Sequence, residues 1–132
     1  LCAGVACASP DRPISKEQLP ATAQQFLQEY FADVEVTLAH EDGPVVRREY
    51  DVTLADGTHI EFSADGRWRE VESRGALPQG IVPPSITTYV AKHYSDNSIV
   101  RIERSRREWE VDLSNGLEIT FDRRFRVISI DD

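Results

Sequence analysis

Apolar positions fall first at helical and then at strand spacing, and the sequence then runs through the same order again. Ala23, Phe26, Leu27, Tyr30 and Phe31 form one stripe along a helix face. Pro20 stands just ahead of it at a first helical position, where the missing N–H costs nothing. Val34, Val36 and Leu38 then alternate with polar residues, followed by Tyr50, Val52 and Leu54 and by Ile60 and Phe62. A period of two predicts strands with one buried face. Asp56-Gly57 lies between two such runs and predicts a two-residue hairpin turn with positive φ. Asp65-Gly66 predicts a second turn, which delivers Trp68 and Val71 on a last strand.

The second half repeats this order. Tyr50 to Phe62 aligns with Trp109 to Phe121, with Val52/Val111, Leu54/Leu113, Gly57/Gly116, Ile60/Ile119 and Phe62/Phe121 identical. Upstream, Ile86, Tyr89, Val90, His93 and Tyr94 repeat the helical stripe, and Pro83 aligns with Pro20. The change of offset between the two blocks places extra residues in a Glu41-Asp42-Gly43-Pro44 loop. The second unit has Phe125 where the first has Gly66, which predicts a different geometry for that turn. Ser73 to Gly80 reads as a linker. The predicted fold is α+β, a tandem repeat of two α-β-β-β-β units over residues 14–73 and 81–131. Antiparallel strands form one sheet or two abutting sheets, with both helices packed on one face. A unit of about 55 to 60 residues buries little on its own, so the two are expected to share a core.

The first residues, Leu1 to Ala8, are small and apolar, and Ala6-Cys7-Ala8 fits the pattern before a signal-peptidase cut. Residues 1–8 therefore read as a signal-peptide remnant, and residues 9–132 as a single exported domain. Acylation of Cys7 is the less favoured alternative, because Gly4-Val5-Ala6 lacks the expected Leu. No apolar run is long enough to span a bilayer. The formal net charge is −8, which argues against a nucleic-acid partner. Both cysteines, Cys2 and Cys7, precede the domain.

Little catalytic chemistry is present. His40, His59 and His93 have no paired spacing for a metal, and His93 occupies a helix-stripe position that predicts a packed ring. Glu41-Asp42-Gly43 lacks the alternating carboxylates of a calcium loop. No nucleophile elbow or phosphate-cradling glycine loop occurs. The reading is no enzyme, no cofactor and no metal site.

Two surfaces remain as candidates. Alternation places Asp51, Thr53, His59, Glu61, Glu110, Asp112, Glu118 and Thr120 on the sheet face away from the helices. Arginine outnumbers lysine by 13 to 2, with Arg101, Arg104, Arg106 and Arg107 around one hairpin and Arg123, Arg124 and Arg126 around another. Arginine suits bidentate recognition at interfaces. Trp68, between Arg67 and Arg69, is read as partly exposed with a hot-spot composition, whereas Trp109 is read as core. The candidate protein-binding surface is therefore Arg67, Trp68, Arg69, Arg104, Arg106, Arg107, His59, Glu61 and Glu118.

The run Tyr50-x-Val52-x-Leu54-x-Asp56-Gly57-x-x-Ile60-x-Phe62, with Gly66-x-Trp68 after it and Leu113 to Asp122 in the second half, resembles the PepSY-like proteins exported by Bacteroides-type bacteria. Asp11-Arg12-Pro13-Ile14 resembles that family too, and Phe125 departs from it. The resemblance implies a fold similar to the tandem-repeat β-lactamase-inhibitor protein. It also implies a periplasmic or secreted, non-catalytic binding protein, with a peptidase as the suggested partner. No site residues carry over from it. The alternative function is binding of a small ligand or ion in the cell envelope.

Overall fold

The computed structural model describes residues 11–132. The leader assigned to residues 1–8, with Cys2 and Cys7, lies outside the described residues. The chain divides into two compact units, the first ending at Trp68 and the second beginning at Arg69. The first contains β1 (Arg12–Pro13), α1 (Ala21–Tyr30), β2 (Val36–Asp42), β3 (Glu49–Leu54) and β4 (His59–Phe62). Strand β5 (Trp68–Glu72) opens at the division, followed by α2 (Pro84–His93), β6 (Ile99–Arg104), β7 (Glu108–Leu113), β8 (Glu118–Asp122) and β9 (Val127–Asp131). The class is α+β, with nine antiparallel strands and two α-helices among the described residues. In the first unit β1 to β4 pair in chain order, and in the second β5 to β9 do so.

Each unit buries one face of its strands beneath its own helix. In the first, Val52, Leu54, Ile60 and Phe62 point inward, and the Phe26 ring from α1 meets Phe62 edge-on at 5.8 Å. In the second, Val111, Leu113, Ile119 and Phe121 point inward, and Tyr89 from α2 meets Phe121 edge-on at 5.5 Å. Edge-to-face pairs set the ring of one against the electron-rich face of the other. Both helices begin after a proline: Pro20 and Pro83 are the caps, so Ala21 and Pro84 are the first helical residues. Each closes on a residue that has left helical geometry at φ −139°, Phe31 or Tyr94, whose N–H still bonds the carbonyl four residues back.

Four hairpin turns share one geometry, and it differs from the expected two-residue turn. The N–H of Leu54 bonds the Thr58 carbonyl and the N–H of Gly57 bonds the Leu54 carbonyl, which encloses three loop residues. The third, Gly57, is left-handed with φ 91°. Ser63 to Arg67, Leu113 to Leu117 and Asp122 to Arg126 make the same pair of bonds. Such loops are a type I turn followed by one left-handed residue, which avoids positive φ at Asp56 or Asn115. The Arg123-Arg124-Phe125 turn was expected to differ and does not. Phe125 takes the left-handed position with φ 64°, the only described non-glycine residue at positive φ.

Other positions also depart from the expected pattern. The ladder between β2 and β3 shifts register between Val36 and Leu38. The bulge turns Leu38 outward at 50% exposure and brings Ala39 and Glu41 to the buried side. Glu41 and Asp42 consequently belong to β2, and the connection begins at Gly43. The two tryptophans exchange their expected environments. Trp68 is only 8% exposed, its ring centroid 6.4 Å from that of Phe26, whereas Trp109 is half-buried beside Phe125 at 5.8 Å. His93 is exposed and lies against the Tyr89 ring at 4.4 Å, not packed in the core.

Two glycines at similar φ separate backbone strain from close packing. A Cβ at Gly66 would stand 2.9 Å from Pro20 Cβ and 3.0 Å from Ala23 N, whereas one at Gly116 meets nothing within 4 Å. Gly116→Ala should cost about 1–2 kcal/mol, the strain of the left-handed conformation alone. Gly66→Ala should cost at least about 1 kcal/mol more, because the start of α1 must move. Denaturant unfolding of both variants checks the order.

Candidate functional site

The pleat that buries Val111 and Leu113 turns Glu110 and Asp112 to the opposite face of the second unit. Register then sets Glu118 opposite Asp112 and Thr120 opposite Glu110. Arg101 reaches this group from β6. Its guanidinium lies 2.6 Å from Glu70, 2.7 Å from Glu103, 3.0 Å from Glu110 and 3.4 Å from Asp112, and its side chain is 14% exposed. Carboxylates from β5, β6 and β7 thus converge on one cation. Burial opposes the charge on Arg101, but the hydrogen bonds to Glu70 and Glu110 outweigh it and hold the group protonated.

The carboxylates outnumber that cation. One oxygen each from Glu110, Asp112 and Glu118 lies within 4.8 Å of the others, all three residues being half-buried. Burial pushes the Asp112 carboxyl above its usual range, against the lowering effect of Arg101. Glu118 is raised chiefly by its hydrogen bond to Glu110 and by the Glu110 charge. Oxygen ligands in this arrangement suit a hard divalent cation, although Arg101 already occupies one side of the group. The sequence reading placed all three on the outer face but did not join them as a potential ligand set. The signal was there: Glu110-x-Asp112 on one strand and Glu118 across the hairpin.

The equivalent face of the first unit is less acidic. Asp51 stands opposite Glu61 and Thr53 opposite His59. His59 Nε2 is 3.6 Å from Asp51, whose carboxyl burial raises against the pull of His59. His59 and Glu61 are half-buried on this face as expected, and His40 pairs with Asp11 at 2.9 Å. Glu41, nearly buried, takes Arg12 on one oxygen and Arg48, at 3.4 Å, on the other. The sequence reading had Glu41 in a loop and Arg101 in a cluster of surface arginines, and both lie just past bulges in their strands.

The remaining candidates do not form one surface. Trp68 is buried and cannot act as an exposed anchor. Arg67 is exposed on the turn before it. Arg69, Arg106 and Arg107 line one cleft of the second unit with Ser105 and Glu108. Arg104 is half-buried at the end of β6. Glu118 belongs to the carboxylate group of the outer face, and Thr120 is largely buried beside it.

The chain belongs to the family described as "Putative beta-lactamase-inhibitor-like, PepSY-like", whose model matches residues 48–129. Three solved structures from Bacteroides are similar, each with a TM-score of 0.87 over 92% of this chain. A "putative periplasmic protein" of the DUF2874 family from Bacteroides vulgatus is 42% identical over 97% of its own length. A "putative calcium-regulated periplasmic protein" from Bacteroides thetaiotaomicron is 37% identical over 97% of its length. A "putative periplasmic protein of unknown function" from Bacteroides vulgatus is 30% identical over 99%. No curated protein matches. The periplasmic location of these relatives agrees with the export expected from the sequence, and no described helix is long and apolar enough to cross a membrane.

The raised carboxyls have a consequence for stability. Asp112 and Glu118 hold a proton more tightly folded than unfolded. Stability from their protonation is full below the ordinary carboxylate pKa and is lost as pH rises through the raised folded values. Glu118→Gln should therefore stabilise the protein by a few tenths of a kcal/mol at about pH 7.5 by removing a like-charge cross-strand neighbour. The gain should shrink toward about pH 4, as the raised Asp112 and Glu118 carboxyls take up protons. Melting temperatures of the two proteins across that range check the sign.

Proposed function

We propose that this chain is a non-catalytic binding protein of the periplasm that engages a basic segment of another protein through the outer sheet face of its second unit. The observation that carries this reading is the Arg101-braced array of Glu70, Glu103, Glu110 and Asp112, held in place before any partner arrives. Pre-ordered side chains cost less entropy on association than free ones. The inhibitor-like description of the family supports restraint of an enzyme as the form this binding takes, and a peptidase is the partner suggested by the resemblance in sequence. The two units are read as tandem repeats, supported by bulges between Val36 and Leu38 and between Ile99 and Arg101 at the same offset in sequence. Capture from the cell envelope with residues 9–132 as bait should enrich one protein, and Glu118→Lys should lose it. Enrichment that is equal on both proteins would count against this face. Assay of the captured protein for peptidase activity, with and without the bait, tests the inhibitory part.

A second reading is divalent-cation binding by Glu110, Asp112 and Glu118. Their spacing favours it, as does the calcium regulation named for the relative from Bacteroides thetaiotaomicron. Titration calorimetry with Ca²⁺ should then show saturable binding that Glu110→Gln weakens at least tenfold. Heats equal to those of the variant would remove this reading.

A further inference from the structure

The second unit also presents a basic cleft lined by none of the residues of the carboxylate face. The β6–β7 turn presents Arg106 and Arg107, and the β8–β9 turn presents Arg123. All three are exposed and line one cleft of about 350 Å³. Among the described residues, no carboxylate lies within ion-pair distance of these three guanidinium groups, whereas Arg12, Arg48, Arg101 and Arg126 are each paired. The nearby acids do not neutralise them. Asp122 is committed to its own turn: it accepts the N–H groups of Arg124 and Arg126 on Oδ1 and the Arg126 guanidinium at 2.8 Å on Oδ2. Glu108 is exposed beside Arg106 and Arg107 without an ion pair to either.

A second observation comes from the backbone. Three of the four matching turns place glycine at the left-handed position, and the fourth, next to Arg123, places Phe125 there. A bulky residue in that region is strained, and such strain concentrates at binding sites. The conformation sets the Phe125 ring 5.8 Å from that of Trp109, both half-buried, two residues along from Arg123 and Arg107. Arginines beside a half-exposed aromatic pair have the composition of a protein-binding hot spot.

We propose that Arg106, Arg107 and Arg123, with the Trp109–Phe125 ring pair, bind an acidic peptide segment carrying apolar side chains on a partner protein. The guanidinium forks take its carboxylates in bidentate geometry, and the ring pair takes its apolar residue. The net charge of −8 opposes any acidic ligand, so binding here reports a local site and not the field of the whole molecule.

A fluorescein-labelled Glu-Glu-Leu-Glu-Glu-Leu peptide is titrated by anisotropy in about 20 mM salt, where screening is weak. The combined variant Arg106→Ala, Arg107→Ala, Arg123→Ala should weaken binding at least tenfold, and Arg124→Ala, outside the cleft lining, should change it less than twofold. Phe125→Gly should weaken binding at least threefold while the melting temperature holds or rises, because glycine relieves the turn. Circular dichroism establishes that each variant is folded. Absence of binding, an equal loss in Arg124→Ala, or unchanged affinity in Phe125→Gly would overturn the proposal. Displacement of the probe by inorganic phosphate as readily as by unlabelled peptide would also overturn it, assigning the cleft to phosphate. Loss of this site would leave the carboxylate face standing, and the reverse also holds.

Discussion

The outer face of the second unit depends on one side chain. An antiparallel strand that buries every second residue must present the others to the opposite side, and here those others are mostly carboxylates. Adjacent strands bring like charges to within a few ångströms, which opposes pairing. Arg101 relieves that repulsion by contacting Glu70, Glu103, Glu110 and Asp112 from the middle of β6. A lysine could not hold all four, because its ammonium has three donors at one atom whereas the guanidinium spreads five over a planar fork. What remains after Arg101 is satisfied, an excess of negative charge centred on Glu118, is what the face offers to a partner or an ion.

The arginine-bearing turns show a different balance. Arg126 and Asp122 are consumed in shaping the β8–β9 turn, and Arg101 in bracing the sheet. Arg106, Arg107 and Arg123 serve neither purpose. The strain at Phe125 points the same way, since glycine would make that turn at lower cost. These three arginines are the surface charge that the proposed acidic ligand would meet.

Much of the architecture was legible in the sequence because it rests on short-range periodicity. The helical stripes around Phe26 and Tyr89 and the inward positions Val52, Leu54, Ile60 and Phe62 follow directly from spacing. The failures share a cause. A bulge inverts alternation without leaving a residue signature, so Leu38 went to the wrong face and Glu41 was mistaken for a loop residue. Trp68 was read as exposed from its charged neighbours, yet its position places the ring beneath α1 against Phe26. The turn at Phe125 was expected to change shape with its sequence, whereas the backbone kept its shape and the side chain carried the strain. Arg101 was visible only as one of a run of surface arginines, because its partners come from residues up to 31 positions away.

The account stands most directly on Arg101 as the charge that holds the carboxylate face together. Arg101→Met keeps an apolar stem at this position and removes the guanidinium with its charge and donors. Unfolding free energies of the two proteins at about pH 7.5 and about pH 4 decide the matter. The account predicts a loss of about 2 kcal/mol or more at the higher pH, shrinking markedly at the lower one as the orphaned carboxylates take up protons. An equal loss at both values, or none at either, would contradict it.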